Sequence, residues 1–376
     1  MTKKIKVMTV FGTRPEAIKM LPIVKELEKN NDTFESVVVV TAQHRKMLDQ
    51  VMEFFKTKPD YDLDIMKERQ GLTQIATSIL EEMENILCEE KPNIVLVHGD
   101  TTTTFAVSLA AFFQKIPVGH VEAGLRTWKK YSPFPEEMNR QLTDALSDIY
   151  FVPTQESKEN LLRENRNEDN MFITGNTVID ALKYTVNSKH HHTIFDKLDS
   201  NKKLILLTMH RRENQGKPMK QVFEGIKEVV ENNSDIEVVF PVHLNPNVQE
   251  LANDILGNQE RIHLIDPLEV VDFHNIASKS YVILSDSGGV QEEAPSLGVP
   301  VLVLRNETER PEGVAAGTLK LVGTDKVRVK TELQNILMNE LEHKRMSSIQ
   351  NPYGDGFASE RILSIIQEWY EDKSLG

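Results

Sequence analysis

The chain has 376 residues, enough for two domains, a net charge of −13 and a single cysteine, Cys88. The acidic balance argues against a nucleic-acid partner. One cysteine excludes an internal disulfide framework and fits a reducing cytoplasm, and no apolar run approaches the roughly 18 residues that span a bilayer. The opening Met-Thr-Lys-Lys leads straight into a short apolar run and lacks a signal-peptide pattern, so a cytoplasmic location is expected.

In the first half, strands are expected at Ile5–Phe11, Ser36–Thr41, Ile94–His98, Val118–Glu122 and Ile149–Val152. Helical periodicity lies between them, near 15–29, 45–55, 71–90, 102–114 and 136–147. The second half repeats the alternation. Strands are expected at Leu204–Thr208, Glu237–Pro241, Ile262–Leu264, Tyr281–Ser285 and Val299–Leu304, with helices near 217–232, 245–255, 269–277 and 288–297. Continuous rather than alternating hydrophobicity marks strands covered on both faces, hence parallel sheets. About ten strand–helix units are too many for one small sheet. The expected fold class is therefore α/β, with two Rossmann-like doubly wound domains.

The expected division is residues 1–175 and 176–356, with an amphipathic C-terminal helix at about 357–372 packing back on the first domain. The boundary region carries His190-His191-His192. Three successive residues diverge on any regular element, which favours a solvated linker or helix end over a metal tract. Cys88, near a helix end among Ile86 and Leu87, reads as a packed thiol rather than a nucleophile.

In open parallel sheets, ligands bind beyond the carboxyl ends of the strands. Strand one is followed by Gly12-Thr13-Arg14-Pro15, with Lys19 one helical turn beyond Pro15. One glycine makes neither a dinucleotide fingerprint nor a P-loop, so neither a nicotinamide cofactor nor ATP is expected. Asp100 follows His98-Gly99. Either Asp100 or Thr101 is placed to cap the next helix. Glu122 closes a buried strand just before Ala123-Gly124, where a carboxylate is costly unless paired or used. Glu136 and Arg140 are four apart, the spacing of a pair on one helix face. In the second half, Thr208-Met209-His210-Arg211-Arg212 ends a strand. Ser285-Asp286-Ser287-Gly288-Gly289 ends another and opens a helix, a turn with bare backbone N–H groups that suits a diphosphate. Glu292 and Glu293 come one helical turn later, where a carboxylate accepts ribose hydroxyls. Three carboxylates, a histidine and several cations thus end strands, a set suggesting proton transfer beside a phosphate leaving group.

On these residues the chain resembles the bacterial non-hydrolysing UDP-N-acetylglucosamine 2-epimerases. The resemblance rests on FGTRPEAIKM (11–20), HGDTTTT (98–104), HVEAGLRT (120–127), PFPEEMNR (133–140), TGNTVID (174–180), TMHRREN (208–214), SDSGGVQEEAP (285–295) and RNETERPEG (305–313). It implies the GT-B arrangement, two Rossmann-like domains facing a central cleft. It also implies interconversion of UDP-GlcNAc and UDP-ManNAc, with neither metal nor nicotinamide, in a homodimer. By resemblance Arg14 and Lys19 lie at the substrate phosphates and sugar. Asp100, Glu122 and Glu136 are the acid/base carboxylates, Arg140 orients Glu136, and His210 contacts the diphosphate. Ser287, Gly288 and Gly289 bind the diphosphate and Glu293 the ribose. A second, allosteric site for UDP-GlcNAc would comprise Gln43, His44, Arg69, Gln70, Glu136, Arg211 and His243. A UDP-sugar glycosyltransferase, a hydrolysing epimerase and a non-catalytic nucleotide-sugar sensor are the competing readings.

Overall fold

Runs of Val, Ile and Leu without polar alternation become strands with helices on both faces. The computed structural model describes residues 4–42, 45–66 and 70–375. Two units are resolved, one of Met1–Ala181 with Gly354–Gly376, the other of Leu182–Tyr353.

The strands of the first unit are β1 (Ile5–Phe11), β2 (Phe34–Val40), β3 (Tyr61–Asp62), β4 (Ile94–His98), β5 (Val118–Val121), β6 (Ile149–Val152) and β7 (Met171–Ile173). They form one sheet in the order β3-β2-β1-β4-β5-β6-β7, and every pairing is parallel. The helices are α1 (Arg14–Lys29), α2 (Arg45–Phe54), α3 (Leu72–Glu90), α4 (Thr102–Phe113), α5 (Glu136–Leu146), α6 (Gln155–Arg163) and α7 (Thr177–Thr185). The unit boundary falls inside α7, at Ala181–Leu182. Strand order reverses between β1 and β4, so their carboxyl ends splay apart and open a crevice there.

The second unit repeats the plan with β8 (Lys203–Thr208), β9 (Ile236–Pro241), β10 (Ile262–Ile265), β11 (Val282–Ser285), β12 (Val301–Val303) and β13 (Leu319–Leu321). Their order is β10-β9-β8-β11-β12-β13, again parallel throughout. The reversal lies between β8 and β11. Its helices are α8 (Lys217–Asn232), α9 (Pro246–Leu256), α10 (Val270–Ser278), α11 (Gly288–Glu293), α12 (Pro311–Ala316), α13 (Lys326–Met338) and α14 (Glu340–Ser347). Phe223 of α8 and Phe240 of β9 meet edge-on at 5.4 Å in a core with Ile226, Val229, Val238 and Leu333, all fully buried. Each such side chain contributes about 1.5–3 kcal/mol by leaving water.

The chain's last helix, α15 (Ala358–Leu375), belongs to the first unit. Buried Asp180 accepts hydrogen bonds from the Ala358 and Ser359 amides at 3.2 and 2.7 Å, satisfying donors at the helix start.

Several expectations need correction. β3, β7 and β13 have only two or three residues, too short a run to stand out. α6, α7 and α12 to α14 also escaped the sequence reading. The helix expected at 288–297 is α11 followed by a 3₁₀ turn at Ala294–Leu297, because Pro295 lacks an N–H to continue the helix. Cys88 is exposed rather than packed. His190 and His191 pair separately with Asp272 and Asp196, at 2.7 and 2.9 Å, and His192 caps the 3₁₀ turn Thr193–Asp196. Among the described residues no group of three or more His, Cys, Asp or Glu is arranged to hold a metal ion, and no described helix is long and apolar enough to cross a membrane.

Candidate active site

In the first unit the crevice is built from the turns after β1, β4 and β5. Thr13 caps α1 in a reciprocal box with Glu16. The buried Glu16 carboxylate accepts the Gly12 and Thr13 amides at 3.2 and 2.8 Å, and the Thr101 and Thr104 hydroxyls at 2.8 and 3.3 Å. It therefore ties the β1 turn to the β4 turn. Burial pushes its pKa above the ordinary carboxylate range despite those donors.

Thr101 caps α4, its hydroxyl accepting the Thr104 amide at 3.1 Å. That settles the capping alternative and frees the Asp100 side chain. Asp100 Oδ2 instead takes Arg140 Nη2 at 2.5 Å, and its carbonyl takes Asn139 Nδ2 at 3.0 Å. The expected Glu136–Arg140 pair does not form. Arg140 turns to Asp100 and, at 3.6 Å, to Glu137. Glu137, fully buried, is anchored by the Thr127 and Trp128 amides, each at 3.0 Å. Helical spacing permits a pair at i,i+4, but these closer acidic partners win. Glu136 is the first residue of α5, half-buried.

Glu122 stands at the centre of this unit's candidate site. β5 stops at Val121 because Glu122 turns into the left-handed region, φ +66°. For a residue with a Cβ that costs on the order of 1–3 kcal/mol and survives only where the surroundings enforce it. Here Lys19 Nζ is hydrogen-bonded to Glu122 Oε1, and Asn176 Nδ2 donates to the same oxygen at 2.8 Å. His98 Nε2 lies 3.5 Å from Oε2. Behind them His120, with no exposed surface, joins Asp144 Oδ1 at 2.6 Å and the Gly99 carbonyl at 2.8 Å. Arg126 in turn joins Asp144 at 2.6 Å and Glu164 at 2.8 Å. Burial pushes the Asp144 pKa up, but His120 and Arg126 outweigh it and hold the group below the usual range. Gly99 has φ +68°, a conformation that suits glycine, and the His120 contact to its carbonyl braces the loop that carries Asp100.

In the second unit Thr208 and Ser285 are register partners across the β8–β11 reversal, with their hydroxyls 2.7 Å apart. Asp286, fully buried, accepts the His210 and Arg211 amides at 3.1 and 3.0 Å and Asn214 Nδ2 at 3.0 Å. The His210 ring sits 3.4 Å from Asp286 and stacks on His243 at 6.0 Å between centroids. Arg211 Nη1 lies 3.5 Å from Glu213 and 3.6 Å from Glu309. Ser287 stands at the N-cap position of α11 without a side-chain capping bond, and Gly288 packs so closely on the Arg310 guanidinium that an added Cβ would fall 3.0 Å from it. Of the two acidic candidates, Glu292 is buried and held by Arg310 Nε and Nη2, both at 2.8 Å. Glu293 lies 3.3 Å from His274, whose other nitrogen meets the Thr185 hydroxyl at 2.7 Å.

Arg305 clamps Glu309 through Nη1 and Nη2 at 2.6 and 2.9 Å. Burial pushes the Glu309 pKa up, but the clamp and Arg211 overrule it and hold it at about 2, against an ordinary 4.5. A depressed carboxylate contributes stability above its unfolded pKa and loses it as pH falls through the folded one. Arg305→Met is therefore expected to show its full stability deficit above pH 4.5 and almost none near pH 2, read by urea unfolding across that window. A deficit independent of pH would mean that packing of the arginine stem, not the charge, carries the effect.

Arg14 opens α1 and Gln70 immediately precedes the Gly71 cap of α3, both half-buried. Gln43, His44 and Arg69 lie outside the described residues. The first unit thus pairs Lys19 with Glu122 and Arg140 with Asp100. The second brings together His210, Arg211, His243 and the Ser287–Glu293 turn. Sequence reasoning missed Glu16, His98, Asn139, Asn176, Asp286 and Asn214. Asn176 and Asp286 stood within quoted motifs, and a lone carboxylate in a serine–glycine turn was signal enough to single out Asp286.

Two parallel, doubly wound sheets with carboxylates, cations and a glycine turn at their reversals define a Rossmann-like α/β enzyme of two units. The chain belongs to the UDP-N-acetylglucosamine 2-epimerase family, a family of isomerases, whose model matches residues 25–367. It is 59% identical over 361 residues to the UDP-N-acetylglucosamine 2-epimerase of Bacillus subtilis, covering 96% of this chain and 94% of that one. A solved structure from Listeria monocytogenes, provisionally named as the same enzyme, is 57% identical with a TM-score of 0.95, covering 98% of each chain. The Neisseria meningitidis enzyme bound to UDP-GlcNAc is 51% identical with a TM-score of 0.87, covering 97% of this chain and all of that one.

Proposed function

We propose that the protein interconverts UDP-GlcNAc and UDP-ManNAc reversibly, by elimination of UDP and its re-addition, and supplies ManNAc for cell-surface polysaccharides. The hydrogen on sugar C-2 is not acidic in the intact substrate, because no carbonyl adjoins it. As the C-1–oxygen bond breaks, its electrons leave with the β-phosphate and C-1 gains oxocarbenium character. A carboxylate then takes the C-2 proton, the C-1–C-2 double bond forms, and the sugar becomes a 2-acetamidoglucal. Protonation of C-2 from the other face and return of UDP to C-1 complete the inversion. Two faces call for proton handling from two sides, the role given to Asp100, Glu122 and Glu136. Arg140 orients Asp100. His210, Ser287, Gly288 and Gly289 receive the diphosphate whose charge grows on departure, Arg14 and Lys19 its phosphates and the sugar, and Glu293 the ribose.

The observation that carries this reading is Glu122, a carboxylate at the end of a buried strand, in a strained backbone conformation, gripped by Lys19 and Asn176. A structural carboxylate has no need of that strain. The complex of the Neisseria relative with UDP-GlcNAc supports the substrate. The proposal includes a cytoplasmic homodimer. It also includes UDP-GlcNAc acting at a second site of Gln43, His44, Arg69, Gln70, Glu136, Arg211 and His243, supported by the family resemblance.

Product analysis tests the reading. Incubated with UDP-GlcNAc alone, the protein is expected to form UDP-ManNAc up to a fixed ratio while the sum of UDP-sugars stays constant on anion-exchange chromatography. Free ManNAc with UDP would replace the proposal by hydrolysis, and an unchanged substrate would leave a transferase or a sensor.

A further inference from the structure

The last residue of β4 is a histidine with no conventional explanation. His98 is buried to within 4% of its surface, and among the described residues neither ring nitrogen has a hydrogen-bond partner. Its place is set by the backbone, since its carbonyl accepts the Thr104 hydroxyl at 2.5 Å. Buried polar atoms are nearly always paired, so an imidazole left with two unmatched nitrogens calls for a reason. Glu122 Oε2 lies 3.5 Å from Nε2.

We propose that His98 is a positioning residue for the proton-transferring carboxylate: its Nε2–H steadies Glu122 Oε2 while that group is ionised and lets it go when it takes the C-2 proton. This deepens the reading of Glu122 above and rests on it. Two titratable groups face Glu122 among the described residues, and His120 stands behind His98. Lys19 of α1 binds Oε1, His98 of β4 faces Oε2, and His120 of β5 is already taken by Asp144 and the Gly99 carbonyl. Lys19 already supplies positive charge at this carboxylate, and a charged His98 beside it would disfavour protonation further. Burial, helped by Lys19 and His120 and opposed by Glu122, lowers the His98 pKa to about 3, so the ring is neutral at working pH. A neutral donor gives direction without locking the ionised form. The 3.5 Å separation is that of a contact able to tighten when substrate fills the site, as hydrogen bonds in unliganded active sites commonly do.

The test uses the full chain and compares His98→Leu, His98→Gln and His98→Asn. Glutamine can place an amide N–H near the Nε2 position, whereas leucine has no donor and asparagine is too short to reach. With UDP-GlcNAc as substrate, kcat and KM are followed from about pH 5 to about pH 9, a span that brackets the carboxylate limb of a general acid–base profile. Removing a donor from an ionised carboxylate raises its pKa. His98→Leu and His98→Asn are therefore expected to move the acidic limb of kcat to higher pH. They should also lower kcat by roughly tenfold to a hundredfold with little change in KM, and His98→Gln should return both limb and rate toward wild type. The contrast between Gln and Asn still decides the matter where the Leu variant fails to fold. Identical limbs in all four proteins, with native circular dichroism, would overturn the proposal and leave His98 a packing residue. A Glu122→Gln protein with wild-type turnover would instead remove the reading on which it rests. Loss of turnover there, with unmoved limbs in the His98 series, would remove the His98 inference alone.

Discussion

Glu122→Gln is expected to yield a folded protein that binds UDP as wild type does and turns over about 10²–10⁴-fold more slowly, the usual worth of a general acid–base group. The substitution preserves volume and an oxygen able to accept from Lys19 and Asn176, so the site keeps its shape. It removes the capacity to hold and return a proton, and with it the negative charge. Lys19, 14% exposed in its side chain, loses its countercharge. Because water reaches that lysine, the stability cost should fall below the roughly 3–5 kcal/mol of a fully buried broken pair. Single-turnover kinetics with thermal unfolding and UDP calorimetry separate these effects. Wild-type turnover would take Glu122 out of the mechanism. Lost turnover with lost UDP binding and a collapsed melting transition would make it a structural residue.

Asp286→Ala is expected to be the most damaging change in the second unit. The carboxylate is fully buried and accepts three donors, the His210 and Arg211 amides and Asn214 Nδ2. Hydrogen bonds to charged groups contribute about 1.5–3 kcal/mol each, and the orphaned donors are desolvated as well. Since such terms overlap, a loss of about 3–5 kcal/mol in urea unfolding is expected. UDP affinity should fall with it, because Asp286 holds in place the loop that carries His210 and Arg211. Asp286→Asn, which keeps one accepting oxygen, should lie between. Wild-type stability in the alanine variant would show that the loop is held by something other than Asp286.

How much of this was legible in the sequence follows from what each feature depends on. Central strands such as Ile5–Phe11 and Ile94–His98 were readable to the residue, because burial on both faces favours a dominantly apolar run. Edge strands β3 and β13 were not, since a sheet edge can be made from two or three ordinary residues. The positions at which the candidate residues leave their strands were also readable, because the doubly wound topology dictates them. Their partners were harder to see. Helical spacing pointed Arg140 at Glu136, yet the side chain reaches Asp100, a residue 40 positions away whose approach depends on how β4 and α5 pack. Likewise Asn176 meets Glu122 across 54 residues. Pairings of that kind are products of tertiary packing, and local periodicity carries no trace of them. The Thr101 cap went the other way. Two adjacent candidates were equivalent in propensity, and only the geometry of the β4 turn chose between them.

The central claim is that the bond from C-2 to hydrogen breaks and re-forms while the sugar stays in the hands of the same protein. The measurement that addresses it most directly is proton NMR of the UDP-sugars after incubation in heavy water. The account predicts deuterium at C-2 of the UDP-ManNAc formed, and in time of the recovered UDP-GlcNAc, with none at the other ring carbons. UDP-ManNAc that retains its original C-2 hydrogen would contradict it, because inversion would then have occurred without proton exchange through the protein's carboxylates.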